Sequence, residues 1–125
     1  MCSSDLDNAL HGMVARPQVF LPTFQKHQGH VCQGVQLHTI DQEKAKPWAV
    51  GQIICRELFH LIGHQFKWSD RPYEYQFKGL AIDFINGTDQ VRKWVEKNGT
   101  IDELYHLEQL NQQSYLEQKK SVELY

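Results

Sequence analysis

The chain of 125 residues is short of cysteine, of charge imbalance and of long apolar runs, and each shortage excludes something. Its three cysteines, Cys2, Cys32 and Cys55, cannot all pair with one another and form no C-x-x-C, which argues against a disulfide framework. Thirteen basic residues against fifteen acidic ones leave a formal net charge of −2, and the basic residues do not cluster. Nothing here would track a phosphate backbone, so nucleic acid is not an expected partner. No apolar run approaches the roughly 20 residues of a membrane span, and no signal peptide is visible. Met1-Cys2-Ser3-Ser4 resembles a lipidated start behind an added Met, but no apolar stretch precedes Cys2, so it reads as an accident of the gene start. There are no internal repeats and no low-complexity linker.

What is present suits one globular domain, residues 1–125. Hydrophobic residues make up 41% and charged ones 22%, enough for a core on a chain that buries roughly two thirds of its unfolded surface. Met1 to Asn8 is polar and reads as a frayed end. Val14 to Phe24 reads as extended, because Val19, Phe20 and Leu21 favour strands while Pro17 and Pro22 exclude a helix interior. Gln25 to Gln33 reads as a loop around Gly29. Val35 to Ile40 alternates, with Val35, Leu37 and Thr39 on one face and Gln36, His38 and Ile40 on the other.

Pro47 suits a helix first turn, and Trp48 to about Ile62 has helical periodicity. Val50, Ile54, Leu58, Leu61 and Ile62, joined by Trp48, Cys55 and Phe59, make its apolar side; Gln52, Arg56, His60 and His64 make a ladder on the other. Gly63 suits its end. Pro72 to Phe77 reads as a further strand, and Leu80 to Ile85 as a short apolar segment before an Asn86-Gly87 turn. Thr88 is expected to cap a helix with Val91, Trp94 and Val95 inward, stopped by Asn98-Gly99. Thr100 and Glu103 spell a capping box for a last helix whose stripe of Ile101, Leu104, Leu107 and Leu110 breaks near Asn111. Few strands, not separated by regular helices, favour an α+β fold with a small mixed or antiparallel sheet and three to four helices.

The chemistry-bearing residues concentrate in Phe20 to Asp41. His27, His30, Cys32 and His38 are the residue types zinc prefers, but their spacing fits no standard site; polar residues that bond locally or face a cleft are the plainer reading. Glu57, His60 and His64 could hold a metal edge-on, against a solvated helix face. Cys32 with His27 or His38 as base could act as a nucleophile, against a small packed thiol between Gly29 and Gly34. Glu74 and Asp83 could be an acid and a base of glycoside hydrolysis, with Glu74 buried between Tyr73 and Tyr75, against a strand residue paired with Lys26 or Arg71. Of Trp68, Tyr73 and Tyr75, one is expected to face a ligand and the others the core.

The residues Phe20, Pro22, Thr23, Phe24, Lys26, His27, Gly29, Cys32, Gly34, Val35 and Gln36 also carry a family likeness. With Trp68, Pro72, Tyr73, Glu74 and Tyr75, then Ile82, Asp83 and Gly87, and the closing Val122-Glu123-Leu124-Tyr125, they resemble the NamZ-type exo-N-acetylmuramidases from about Leu6 to the end. Members of that family are about three times longer, and a Rossmann-like first domain supplies their acid chemistry. The chain resembles their second, auxiliary domain. The resemblance implies a glycoside hydrolase that removes N-acetylmuramic acid from the non-reducing end of peptidoglycan fragments, outside the cytoplasm.

It further implies that the Lys26–His38 segment walls a cleft, with Lys26 toward the lactyl carboxylate and His27, Gln36 and His38 toward hydroxyls and acetamide. Cys32, Tyr73 and Glu74 complete the expected contacts. No catalytic residue, metal or cofactor is expected in this part. The rival readings are a stand-alone metal or cysteine protein built on His27, His30, Cys32 and His38, and a pure interaction domain. The strand face carrying Gln36, His38 and Ile40, with the tyrosines near Glu74, is the surface a missing catalytic domain would leave bare, and it would make the isolated chain a homodimer.

Overall fold

The computed structural model describes Leu10, residues 12–110 and residues 112–123, and these form an α+β structure with one two-stranded antiparallel sheet. Expectations placed on Met1 to Asn8, Asn111, Leu124 and Tyr125 lie outside the described residues. Two compact units divide the chain, residues 1–50 and 51–125, and each is described by itself.

The first unit is a hairpin. Strand β1 (Met13–Phe20) pairs with β2 (Cys32–Thr39) in register from Met13 opposite Thr39 to Phe20 opposite Cys32. Because side chains alternate, Met13, Ala15, Pro17 and Val19 share one face with Thr39, Leu37, Val35 and Gln33. Val14, Arg16, Gln18 and Phe20 share the other with His38, Gln36, Gly34 and Cys32. The alternation expected from Val35 onward is therefore present, and β2 begins three residues earlier than expected.

The base of the hairpin is tied by local bonds. Gly12 (φ 73°) accepts from the amides of Ile40 at 2.8 Å and Asp41 at 3.1 Å. A side chain at Gly12 would lie 2.4 Å from the carbonyl of Asp41, so the position needs glycine for space and conformation together. Asp41 then caps the following turn through Oδ1, which accepts from the amides of Glu43 and Lys44 at 3.1 and 3.4 Å.

Helix α1 (Pro47–Ile62) begins at the expected proline and runs into a 3-10 turn, Gly63–Gln65. The second unit holds most of it, followed by α2 (Ala81–Asn86), α3 (Gln90–Glu96), α4 (Ile101–Gln109) and α5 (Gln112–Val122). Ile53, Val91, Trp94, Val95 and Leu104 are buried. Gly87 ends α2 in the left-handed region. The capping box is fully formed: Thr100 accepts from the Glu103 amide at 3.2 Å, and Glu103 accepts from the Thr100 amide at 2.9 Å. The N-cap of α3 is Asp89 rather than Thr88, although Thr88 Oγ1 does accept the Gln90 amide at 3.2 Å.

Two expectations are corrected. Pro72 to Phe77 is not a strand; only Tyr73 and Gln76 bridge, around a tight turn at Glu74-Tyr75. The supposed solvent ladder of α1 turns inward at Gln52 and Arg56, while His60 and His64 stay exposed. Arg56 is 8% exposed, whereas Leu58 is 45% and Leu61 83% exposed. Arg56 donates to the Gly99 carbonyl, His60 bonds the Val95 carbonyl at 2.8 Å, and Gln52 donates to Asn86 at 3.2 Å. The Arg56 guanidinium also lies 4.9 Å over the Trp94 ring.

Candidate functional site

The expected site residues fall in both units. In the first, the register places Gln36, His38 and Cys32 on one face of the ribbon. Arg16 stands directly opposite Gln36 on that face, exposed and with no ion pair among the described residues. Sequence reading passed over it, although the alternation Val14-Arg16-Gln18 was there to be seen. His38 is partly buried, and its Nε2 has no hydrogen-bond partner among the described residues.

Lys26 and His27 lie apart from this face in sequence, in the connecting loop, and both are exposed. The loop folds on itself: Gly29 donates to the Pro22 carbonyl at 3.0 Å and His30 to the His27 carbonyl at 3.0 Å. Gln25 and His27 both have φ 59°, a left-handed conformation that costs a side-chain-bearing residue free energy. His30 Nδ1 bonds the Gln28 carbonyl at 3.0 Å and Cys32 Sγ the His30 carbonyl at 3.5 Å. Among the described residues no three His, Cys, Asp or Glu side chains gather as a metal would require, so the His27/His30/Cys32/His38 and Glu57/His60/His64 readings have no geometric support. Glu57 instead pairs with Arg56 at 2.7 Å.

In the second unit Glu74 is exposed at the tip of its turn with φ 52°, not buried in a strand, and among the described residues of that unit it has no ion pair with Arg71. Tyr73 stacks on Phe84 at 6.3 Å and 8° between planes, while Tyr75 is 88% exposed. Trp68 belongs to a cluster with Phe59 and Phe66, ring centroids 5.0 to 5.9 Å from it, and its Nε1 donates to Glu96 at 3.0 Å. Of the three aromatics, Tyr75 is the most open to solvent.

Asp83 is held rather than free. Arg92 donates to both its oxygens at 2.9 and 3.1 Å and to Glu96 at 3.2 Å. Trp68, Glu96, Arg92 and Asp83 are therefore one hydrogen-bonded chain joining three segments. The hydrogen bonds to Asp83 first and to Glu96 second raise the pKa of the Arg92 guanidinium. Lys93 bonding lowers Asp89, and Lys97 followed by the Thr100 amide lowers Glu103. Burial pushes the Cys55 thiol up, away from nucleophilic chemistry. A cavity of about 540 Å³ lies beside α3 and α4, lined by Lys93, Trp94, Lys97, His106 and Leu107 among others. None of the expected site residues lines it, and its lysines are paired with Asp89 at 2.6 Å and Glu103 at 2.8 Å.

A two-stranded ribbon followed by helices, with Arg16, Gln18, Gln36 and His38 on one ribbon face, defines a small α+β domain. Residues 3–125 match the model of the C-terminal part of the exo-β-N-acetylmuramidase NamZ, and the chain belongs to that family. The peptidoglycan β-N-acetylmuramidase NamZ of Bacillus subtilis (strain 168) is 27% identical over 121 residues, which cover 94% of this chain and 27% of that protein. The crystal structure of a DUF1343 family protein from Bacteroides fragilis NCTC 9343 is similar over 90% of this chain and 32% of its own, with a TM-score of 0.51 at 19% identity, a likeness of fold. The chain thus spans roughly a quarter to a third of the relatives it matches.

Proposed function

We propose that this domain is the auxiliary, cleft-completing part of a peptidoglycan-degrading exo-N-acetylmuramidase. It contributes contacts to a muramic-acid-containing glycan and docks on a Rossmann-like catalytic domain that carries the acid chemistry. The observation that carries the reading is the hairpin itself. A two-stranded ribbon is marginal alone in water, yet this one leaves Val19, Phe20, Leu21, Phe24, Val31 and Val35 exposed. Exposed apolar patches of this kind mark interaction surfaces, and the same ribbon presents polar side chains on its other positions.

Cys32, Gln36 and His38 on the ribbon, and Lys26 and His27 in its loop, are the glycan contacts of the first unit. Tyr73 and Glu74 are those of the second, where the left-handed Glu74 holds a polar tip in the open. The engagement of Asp83 by Arg92 supports a catalytic carboxylate pair located outside this domain. An enzyme of this kind works where peptidoglycan is, outside the cytoplasm; no helix among the described residues is long and apolar enough to cross a membrane.

The test is a chromogenic muramic acid glycoside offered to this chain alone and to this chain with a NamZ catalytic domain stripped of its own C-terminal part. Hydrolysis is expected only from the pair, and Phe24→Ser is expected to weaken their association. Turnover by the chain alone, abolished by Glu74→Gln, would place the acid chemistry here and overturn the reading.

A further inference from the structure

We propose that the polar face of the hairpin is a seat for an acidic sugar, in which Arg16 takes the carboxylate. The proposal rests on the reading that this domain contacts glycan, and it assigns a specificity residue that neither the motif nor the family match singles out. Arg16 is opposite Gln36 in the register, and directly opposite side chains stand about 5 Å apart at Cβ. The next pair along that face is Gln18 with Gly34, and the next Phe20 with Cys32.

Gly34 leaves a gap between those side chains. Its φ is not left-handed, so conformation does not demand glycine there. A methyl group in its place would meet only the Phe20 ring, at 4.0 Å. The space above Gly34 is therefore open beside the half-exposed Phe20 ring, with Gln18 the residue opposite and Gln36 and Arg16 the next pair on the same face. An apolar ring wall, two amides and a fork of N–H donors beside a bare backbone suit a sugar ring that carries a carboxylate. The ring's C–H face lies on Phe20, and hydroxyls or an acetamide meet the glutamines.

Arginine is the better partner for that carboxylate than Lys26. Its planar guanidinium presents two parallel donors to two oxygens, whereas an ammonium is a point charge. Lys26 lies in the loop between two left-handed residues, Gln25 and His27, rather than on the ribbon face. Arg16 has no carboxylate of its own chain to neutralise it among the described residues, in contrast to Arg56 and Arg92, which are both paired.

The experiment is an NMR titration of the 125-residue chain with N-acetylmuramic acid, N-acetylglucosamine and glucuronic acid, following backbone amides and arginine Nε–H signals. N-Acetylmuramic acid is expected to shift Arg16 Nε–H and the Gly34 amide and to bind on the order of tenfold more tightly than N-acetylglucosamine, the worth of one charge-assisted bond. Arg16→Met should erase that preference while leaving N-acetylglucosamine binding unchanged. Arg16→Lys should keep part of it. Gly34→Val should weaken both sugars with an otherwise unchanged amide spectrum.

If shifts centre on Lys26 or on Tyr73 and Glu74, and Arg16→Met keeps the preference, the seat is wrong and the glycan reading stands. If glucuronic acid binds at Arg16 and N-acetylmuramic acid does not, the seat stands and the muramic reading falls. No shift from any of the three at their solubility limits overturns the proposal.

Discussion

Removing the Arg56 guanidinium is the sharpest test of how the second unit is held. In Arg56→Met the aliphatic stem remains, so the loss is confined to the polar head. That head donates to the Gly99 carbonyl, bonds Glu57 through Nε at 3.0 Å and Nη2 at 2.7 Å, and covers the Trp94 ring. A hydrogen bond from a charged donor contributes about 1.5–3 kcal/mol, and the orphaned carbonyl adds a desolvation cost within the same range. The ring contact contributes roughly 0.5–2 kcal/mol. The Glu57 pair is partly open to water, with 21% of the acidic side chain exposed, and screening leaves it a minor part.

These effects share one side chain and do not add, so the expected loss is about 3 kcal/mol. For a chain of this size that lowers the thermal midpoint by on the order of 10 °C. Urea unfolding followed by tryptophan fluorescence reads it, since Trp94 reports the same contact. Arg56→Lys should recover less than half, because one ammonium cannot reach the carbonyl and the carboxylate with the same geometry. A loss for Arg56→Met within about 0.5 kcal/mol, the range of ordinary surface substitutions, would mean that Arg56 is solvated, as its place in the polar ladder of α1 first suggested.

Other consequences follow from the same geometry. Gly99→Ala would set a carbon 2.2 Å from Cδ1 of Trp94, so overpacking should destabilise the second unit by roughly 1–3 kcal/mol in the same urea assay; a neutral outcome would mean that the ring is loosely held. Asp89 and Glu103 have depressed folded pKa values. Their stabilisation is whole above the ordinary values of 3.8 and 4.5 and is lost as pH falls through the depressed ones. Glu103→Gln should therefore flatten part of the acid limb of a stability–pH profile, and an unchanged limb would refute the assignment. The exposed apolar residues of the hairpin should make the isolated chain self-associate, most simply as a two-fold dimer. Light scattering across a concentration series checks this, and a strict monomer at high concentration would count against the docking surface.

Much of the local structure was legible because its causes are local. Pro47 at the start of α1, the Thr100–Glu103 box and the left-handed Gly87 each answer the backbone's own demand for donors, acceptors or an allowed φ within a few residues. The alternation in β2 likewise told which of Gln36, His38 and Leu37 would share a face.

Partnership at long sequence range was not legible. Arg56, His60 and Gln52 look like a water-facing ladder until the Gly99 and Val95 carbonyls and the Asn86 side chain are brought beside them. Asp83 looks like a free acid until Arg92 closes on it, and Arg16 looks like any surface cation until register sets it opposite Gln36. The sequence by itself determined the alternation of the ribbon, the start of α1, the capping box of α4 and the family. Only the tertiary structure decided which polar groups are consumed in holding helices together and which, like Arg16, are left facing outward. A buried donor settles on whichever acceptor the fold brings near, and that choice is not encoded in its neighbours along the chain.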